Sequence, residues 1–278
     1  MLRRPRHAMP LIAISAAFAA PFAIAPLLAQ HENHAGHTPA VAVDPAIAAA
    51  VKAPTRTPAN VARDQYRHPA ETLAFFGVTP SQTVLEYAPS GGWYTEILAP
   101  LLKDKGTFYA AQSAGRGYDG VKAKLDADPA TYGKVKLVPW PVGSAVAPGS
   151  VDTLLTFRNV HNMVMGGSAE ETFRQFFALV KPGGVLGVVD HRLPESRDTA
   201  LEKSSGYLKL STVKALAEKA GFVLEAQSEI NANPKDTADW AKGVWTLPPS
   251  LSNGDTDKAK YLAIGESDRM TLRFRKPR

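Results

Sequence analysis

A short segment of the chain combines one acidic residue with several small ones, a composition suited to holding a small ligand. An apolar run that begins at Val84 ends in Glu86, and the small residues that follow are Ala88, Ser90, Gly91 and Gly92. A strand, a tight turn and a helix in this order bind nucleotide-like ligands, because small residues let the backbone approach the ligand closely. Ala88 and Ser90 stand at two positions where such turns usually carry glycine. We therefore predict a ligand-binding turn here.

Polar residues also follow two later apolar runs. Arg158, Asn159, His161 and Asn162 come after the run at 151–157, and Asp190, His191 and Arg192 come after the run at 185–189. Ligands of open α/β sheets bind beyond the carboxyl ends of the strands, so we expect these side chains near one site. The imidazole of His161 can take a proton near neutral pH, which makes it the first candidate for a base. The alternatives are a structural histidine bonded to a loop carbonyl and an ion-pair network that fixes the second loop.

Strands alternating with helices must position these residues. Apolar runs predict strands at 83–87, 107–112, 134–138, 151–157, 185–189, 222–227 and 269–275. Amphipathic helical spacing, as in Tyr94, Ile97, Leu98 and Leu101, lies between most of them. This alternation predicts one α/β domain with a mostly parallel sheet over residues 62–278. No helical pattern separates the last two strands, so we expect the last strand to run antiparallel.

The first 29 residues resemble a targeting segment. Arg3, Arg4 and Arg6 precede an Ala/Leu/Ile-rich stretch from about Met9 to Ala29. This order predicts a secretory signal over 1–29 and export to the periplasm. An uncleaved membrane anchor is the alternative, but prolines interrupt the apolar stretch. A third interpretation is that this N-terminus does not cause export.

Residues 30–61 are rich in Ala, Pro, His, Thr and Val and lack helical or strand periodicity. We predict a flexible linker there. His31, His34 and His37 recur every three residues within it, so a weak metal-binding tail is the alternative to a solvated linker.

Composition excludes several classes of function. The net charge of +6 includes three arginines and no acidic residue within 1–29, which leaves +3 for the remainder. No dense basic face with interleaved aromatics is present, so we predict no nucleic-acid partner. The chain has no cysteine, which rules out a thiol nucleophile and a thiolate metal site. We predict no metal site.

Six ordered motifs together resemble one family of proteins. They are Arg67–Gly77, Gly91–Pro100, Thr156–His161, Lys181–Gly184, Asp190–Arg192 and Asn231–Asp236. In this combination the chain, from about residue 62 to its end, resembles class I S-adenosylmethionine-dependent methyltransferases, and more narrowly a group of bacterial predicted methyltransferases with signal peptides. The resemblance implies a Rossmann-like sandwich whose seven-stranded sheet is mostly parallel, with the last, antiparallel strand inserted beside strand five. A dinucleotide dehydrogenase would instead carry G-x-G-x-x-G.

The same resemblance implies S-adenosylmethionine as the cofactor. It places Glu86 at the methionine end, with the other cofactor-binding candidates Ala88, Ser90, Gly91, Gly92 and Asn159 around it. Gln112 stands where an acid usually takes both ribose hydroxyls, and an amide accepts through one oxygen only. Asp119 could compensate for this change. The alternatives are that Glu86 caps the next helix and that the glycines only shape the turn.

For catalysis, the resemblance points to the polar residues beyond strands four and five. Methyl transfer from a sulfonium is an in-line displacement, so proximity and orientation can drive it without an enzyme nucleophile. The catalytic candidates are His161, as a base or a substrate-orienting group, with Asp190 and His191. We expect the long connection 231–268 to form part of a substrate lid, and the alternative is that its tryptophans only anchor it to the sheet.

The expected function is thus methyl transfer to a small-molecule acceptor. The alternative is an exported, non-catalytic protein that uses the same fold to bind another adenosyl or apolar ligand. Ala88, Ser90 and Gln112 favour this alternative, whereas the polar residues at the strand ends favour the enzyme.

Overall fold

Seven strands form one sheet in the computed structural model, which describes residues 1–2 and 42–278. The strands are β1 (Thr83–Tyr87), β2 (Thr107–Ser113), β3 (Lys136–Trp140), β4 (Val151–Phe157), β5 (Val180–His191), β6 (Val223–Ser228) and β7 (Arg269–Arg275). Each predicted strand is present. The largest differences are that β5 begins five residues earlier than predicted and that β3 lies two residues further along the chain.

The strand order β3-β2-β1-β4-β5-β7-β6 confirms the Rossmann-like methyltransferase sandwich. Strands β1 to β5 pair in parallel, whereas β7 lies between β5 and β6 and pairs antiparallel with both. The carboxyl ends of β1, β2, β4 and β5 therefore share one edge, which is where ligands bind in sheets of this type.

Helices connect the strands. They are α1 (Pro45–Val51), α2 (Pro58–Val61), α3 (Asp64–Arg67), α4 (Pro69–Phe75), α5 (Thr95–Leu102), α6 (Arg116–Ala127), α7 (Pro129–Tyr132), α8 (Val160–Met165), α9 (Ala169–Leu179), α10 (Leu210–Ala220) and α11 (Lys258–Ile264). Short 3₁₀ turns lie at Gly143–Ala145, Thr199–Lys203 and Gly243–Thr246.

Two hydrophobic clusters cover the two faces of the sheet. Val84 packs into one cluster with residues of α4, α5 and α6, and its neighbour Leu85 packs into the other with residues of α8, α9 and α10. Successive side chains of a strand point to opposite faces, so a strand buried on both sides has an unbroken apolar run. This burial fixes β1 in the centre of the sheet and brings Glu86 to its carboxyl end.

The flexible linker predicted for 30–61 is wrong for residues 45–61, where the structure has α1 and α2. Asp44 caps α1 by accepting a hydrogen bond from the backbone N–H of Ala46, and Pro45 occupies the first turn. Ile47 is fully buried against α4 and α5. The sequence concealed this helix because one large apolar side chain among small alanines produces no amphipathic pattern.

The segment that contains α2 and α3 is tied to the domain by polar contacts. Arg56 makes two hydrogen bonds to the carboxylate of Asp64, of 2.6 and 2.8 Å, and is 4 % exposed. Thr57 donates through its hydroxyl and its backbone N–H to the carboxylate of Glu96 on α5. These contacts hold the segment beside the carboxyl edge of the sheet.

Two predictions concern residues that are not described. The signal segment and the three histidines at 31, 34 and 37 fall within 3–41, which lies outside the described residues. Across the described part of the chain, every helix is too short or too polar to cross a bilayer.

Candidate functional site

A cavity of about 320 Å³ opens at the carboxyl edge of the sheet. Glu86 of β1, Phe157 of β4 and His191 of β5 line it, which is the position expected for a ligand of this fold. Its volume lies at the lower end of the range for small-molecule sites, roughly 300–1,000 Å³. Its other lining residues come from the turn after β1, from α2 and α3, and from the connections after β4 and β6.

Glu86 is the buried acid of this cavity. Its side chain is 3 % exposed, and among the described residues it accepts one hydrogen bond, from the hydroxyl of Thr95 at 2.7 Å. Burial raises the pKa of Glu86 to about 7, although the Thr95 hydrogen bond opposes this shift. Glu86 therefore has unused acceptor capacity, and a cationic ligand group would favour its charged form.

In the turn after β1, two residues other than glycine adopt the left-handed backbone conformation that favours glycine. Ala88 and Ser90 both have φ of 51°, in the left-handed region. Both residues line the cavity. The backbone N–H of Ala88 donates to the carbonyl of Ala111 on β2, at 2.8 Å, which helps to hold the turn in this conformation.

Two other predicted cofactor-binding residues, Gln112 and Gly92, are not among the residues that line the cavity. The side-chain oxygen of Gln112 accepts a hydrogen bond from the backbone N–H of Ser90, at 3.1 Å. Gly92 has φ of 73°, and a Cβ there would lie 2.8 Å from the side chain of Lys124. Gln112 thus stabilises the turn, and Gly92 is required by the backbone and by Lys124.

Gly91 and Asn159, which were predicted to bind the cofactor, line the cavity. A Cβ added at Gly91 would meet no atom within 4 Å, so the turn leaves open space beside this wall. The amide of Asn159 donates to the carbonyls of Tyr87, Ala88 and Phe157, at 3.1 to 3.3 Å. Asn159 therefore ties the end of β4 to the turn after β1.

His161 and Asp190 form a buried pair beneath the cavity. The Nδ1 of His161 lies 2.8 Å from a carboxylate oxygen of Asp190, and the other Asp190 oxygen accepts from the backbone N–H groups of Val160 and His161. A carboxylate that accepts from Nδ1 leaves Nε2 as the proton-accepting nitrogen of the neutral ring. His161 lines the cavity, whereas Asp190 is fully buried and does not. Asp190 is thus a positioning residue rather than a catalytic one.

His191 lines the same cavity, but both of its ring nitrogens have partners. Its Nε2 accepts from the Nε of Arg158, at 3.3 Å, and its Nδ1 contacts the hydroxyl of Ser267. Burial, and then the neighbouring Arg158, hold the pKa of His191 well below its usual value. A neutral ring with two partners orients Arg158 and is a weak candidate for a base.

The ligating atoms of His161, Asp190 and His191 lie within 4.8 Å of one another, a spacing that could hold a metal ion. The sequence predicted no metal site. The Asp190 oxygens already accept four hydrogen bonds, including one from the backbone N–H of His191. The guanidinium of Arg158 also contacts His191 and would repel a cation. These contacts favour a hydrogen-bonded network here.

Several cavity residues were not predicted as site residues. Asn60 comes from the segment interpreted as linker, Arg63 from the start of the predicted domain and Arg67 from its first motif. Trp93, Tyr94 and Phe157 form apolar walls. The rings of Tyr94 and Phe157 stack with 3.6 Å between their centroids. Trp93 follows the two glycines directly, so its place in the turn was the one signal that could have revealed it.

The connection 231–268 uses its two tryptophans differently. Trp245 lines the cavity, with its ring centroid 6.4 Å from that of His161. Trp240 instead donates to Asp236, at 2.7 Å, and Asp236 also accepts from the Tyr207 hydroxyl. One tryptophan is therefore a cavity wall and the other an anchor, so each of the two interpretations describes part of this connection.

Comparison with solved structures identifies the fold. A SAM-dependent methyltransferase from Aquifex aeolicus superposes with a TM-score of 0.53 at 15 % identity, covering 77 % of this chain and 92 % of that one. An arsenic(III) S-adenosylmethionine methyltransferase from Chlamydomonas reinhardtii superposes with a TM-score of 0.50 at 15 % identity, covering 85 % of this chain and 75 % of that one. No family model matches the sequence, and no curated protein matches it.

The fold is that of the class I S-adenosylmethionine-dependent methyltransferases. At these sequence identities the similarity defines the architecture. It does not define the activity, which depends on the residues of the site.

The cavity fits one part of S-adenosylmethionine better than the other. The buried carboxylate of Glu86, with a single donor, and the open space beside Gly91 suit the methionine ammonium and its backbone. At the ribose position Gln112 is bonded to the turn, and no acid of β2 lines the cavity. The residues present therefore suit the methionine end of this cofactor better than its ribose.

Proposed function

We propose that this protein is an S-adenosylmethionine-dependent methyltransferase that acts on a small molecule. The supporting observation is Glu86, a buried carboxylate at the end of β1 that faces a cavity also lined by His161. The methyl group would pass from a sulfonium to an acceptor atom: a bond to the methyl carbon forms while the carbon–sulfur bond breaks, and its electron pair remains on sulfur.

The residues of the chain would supply binding, orientation and one proton acceptor. Glu86 accepts hydrogen bonds from the ammonium group, and the turn held by Asn159 shapes the adjoining wall. His161, oriented by Asp190, takes a proton at Nε2 when the acceptor must lose one. Stacked Tyr94 and Phe157, with Trp245, exclude water from the reacting atoms.

Titration calorimetry with S-adenosylmethionine and S-adenosylhomocysteine tests the proposal. We expect both to bind, and Glu86→Gln to weaken binding of S-adenosylhomocysteine by about tenfold or more, since a hydrogen bond between charged groups contributes roughly 1.5–3 kcal/mol. The pKa of Glu86 near 7 also predicts that affinity falls as the pH drops through 7, because protonation removes the charge that binds the ammonium.

The matched control is Glu170→Gln, which makes the same substitution in an exposed ion pair with Lys219 on α10. It should leave the affinity and its pH profile unchanged. If neither compound binds at millimolar concentration, the methyltransferase proposal is wrong.

One observation favours a second candidate, a non-catalytic protein that binds another adenosyl or apolar ligand. Gln112 holds the turn through Ser90 instead of facing the cavity, and Ala88 and Ser90 replace the usual glycines. A protein that binds neither S-adenosyl compound but binds adenosine would support this alternative.

Export is part of the proposal, and it depends on the basic and apolar residues of 1–29. Fractionation of cells that express the chain with and without residues 1–29 tests it. Cytosolic retention of both forms would contradict export.

A further inference from the structure

The cavity carries more positive charge than the surrounding acids balance. Arg63 and Arg67 of the α3 region and Arg158 after β4 line it, and Arg269 lies behind them on β7. Glu266 bonds to Arg63, Arg67 and Arg269, with distances of 2.6 to 3.1 Å. One carboxylate thus serves three guanidinium groups, and within the described part of the chain no carboxylate forms an ion pair with Arg158.

Some of these arginines have donors without acceptors. The Nη2 atoms of Arg63 and Arg67 are buried and have no hydrogen-bond partner among the described residues. Arg67 as a whole is 6 % exposed and lies over the ring of Trp93, with its guanidinium carbon 4.7 Å from the ring centroid. A buried donor left without an acceptor costs roughly 1–3 kcal/mol, and more for a charged group, so each such donor requires an explanation, and a bound anion is one that suits a guanidinium.

Arg158 is held towards the same space by the backbone and by a neutral neighbour. Its φ of 61° is left-handed, and its N–H donates to the carbonyl of Val189 at 2.7 Å. Its side chain contacts His191 through Nε only. Burial, and then the charge of Arg269, lower the pKa of Arg158 to about 10, although the charges of Glu266 and Asp190 oppose this shift.

We propose that the acceptor of this protein carries an anionic group, a carboxylate or a phosphate, and that Arg158 binds this group together with the free donors of Arg63 and Arg67. Guanidinium groups bind both kinds of oxyanion through paired hydrogen bonds. The identification of the bound molecule as the methyl acceptor rests on the proposed methyltransferase function. The anion site itself is inferred from the arginines alone.

Charge gives a further reason that the second ligand is anionic. S-adenosylmethionine carries a sulfonium in addition to its ammonium and carboxylate, so its binding adds one positive charge to a cavity that already holds three arginines. S-adenosylhomocysteine lacks that charge. An anion bound at Arg158 should therefore raise the affinity for S-adenosylmethionine more than that for S-adenosylhomocysteine.

The experiment titrates the full protein with malonate and with inorganic phosphate at constant ionic strength, followed by calorimetry and by tryptophan fluorescence. We expect at least one anion to bind saturably, and Arg158→Gln to weaken that binding by about tenfold, as expected for a charged hydrogen bond. Stronger binding of malonate identifies a carboxylate as the recognised group, and stronger binding of phosphate identifies a phosphate.

Arg158 suits this test because its replacement breaks no ion pair within the described residues. Arg158→Lys keeps the charge and should retain part of the affinity. The control Arg174→Gln removes an arginine from an exposed pair with Glu171 on α9 and should leave anion binding unchanged. Circular dichroism checks that each variant is folded.

The outcomes separate this inference from the proposed function. Anion binding that is lost in Arg158→Gln, without any binding of the S-adenosyl compounds, would support the anion site and contradict methyl transfer. Binding of S-adenosylhomocysteine with no saturable anion binding, or with equal binding in Arg158→Gln, would overturn the anion site and leave the methyltransferase proposal intact. An anion that favours both S-adenosyl compounds equally would contradict the charge argument.

Discussion

At the scale of single residues, the turn after β1 differs from the usual turn of this fold because it carries Ala88 and Ser90 where glycine is common. Ala88 and Ser90 take the left-handed backbone conformation that glycine adopts without strain. In both residues this conformation is strained, because the Cβ comes too close to the backbone. The side chain of Gln112 compensates by accepting from Ser90. The residue types at these positions were readable in the sequence, but the hydrogen bond from Ser90 to Gln112 was not.

This conformation predicts that Ala88→Gly stabilises the protein. Removing the Cβ relieves a left-handed alanine, so we expect the free energy of unfolding to rise by about 1 kcal/mol. Urea denaturation measures the change. The control Ala123→Gly lies on the exposed side of α6, where the same substitution should lower stability by about 1 kcal/mol. A loss of stability in Ala88→Gly equal to that of the control would contradict the left-handed assignment.

At the scale of elements, the segment before β1 has the largest difference between prediction and structure. Helices α1 to α3 carry short, alanine-rich or polar sequences, and they are stabilised largely by contacts with the rest of the domain, including α4, α5 and Arg269 of β7. Isolated helices of this length are unstable in water, because nucleation is costly and packing supplies most of the stability. Sequence periodicity could not reveal them for the same reason.

If α1 is part of the core, Ile47→Ala should destabilise the domain. The side chain is fully buried, so its truncation should lower the free energy of unfolding by about 2–4 kcal/mol through lost burial and a residual cavity. Thermal or urea unfolding measures this. Val61→Ala on α2 is the control, because Val61 is 44 % exposed and should change stability by less than about 0.5 kcal/mol. Equal, small effects of both substitutions would mean that α1 is a linker, as the sequence suggested.

At the scale of the whole molecule, Glu266 joins parts of the chain that are far apart in sequence. It bonds to Arg63, 203 residues away, and to Arg67 and Arg269. Burial alone would raise its pKa, but the guanidinium groups of Arg269, Arg67 and Arg63 lower the pKa of Glu266 to about 2.

This contact predicts an acid-dependent loss of stability. An acid with a depressed folded-state pKa stabilises the protein above its unfolded-state value, near 4.5, and the stabilisation is lost as the pH falls towards 2. The contribution at pH 7 is about 3 kcal/mol for a shift of this size. Urea denaturation between pH 7 and pH 3 should show the difference between the natural chain and Glu266→Gln shrinking as the pH falls. A difference that stays constant would contradict the linkage.

The order of the seven strands along the chain was determined by the sequence itself, because burial on both faces of a sheet requires apolar runs. Helices with a periodic apolar stripe, such as α5 and α9, were predictable in the same way, whereas α1 to α3, and α11 between β6 and β7, were not. The ends of those runs also identified Glu86, His161, Asp190 and His191 as residues of one edge. Such local patterns are visible in the amino-acid sequence, because each strand or helix needs its own buried face.

Only the tertiary structure decided which polar groups face the cavity and which serve the scaffold. Asp190 lies beneath His161, Gln112 turns to Ser90, and Arg63 and Arg67 reach the cavity from the start of the domain, before β1. The balance of charge around Arg158 depends on residues brought together from four parts of the chain. Hydrogen bonds and Coulomb interactions depend on distances of a few ångströms in space, and the sequence does not encode those distances as a local pattern.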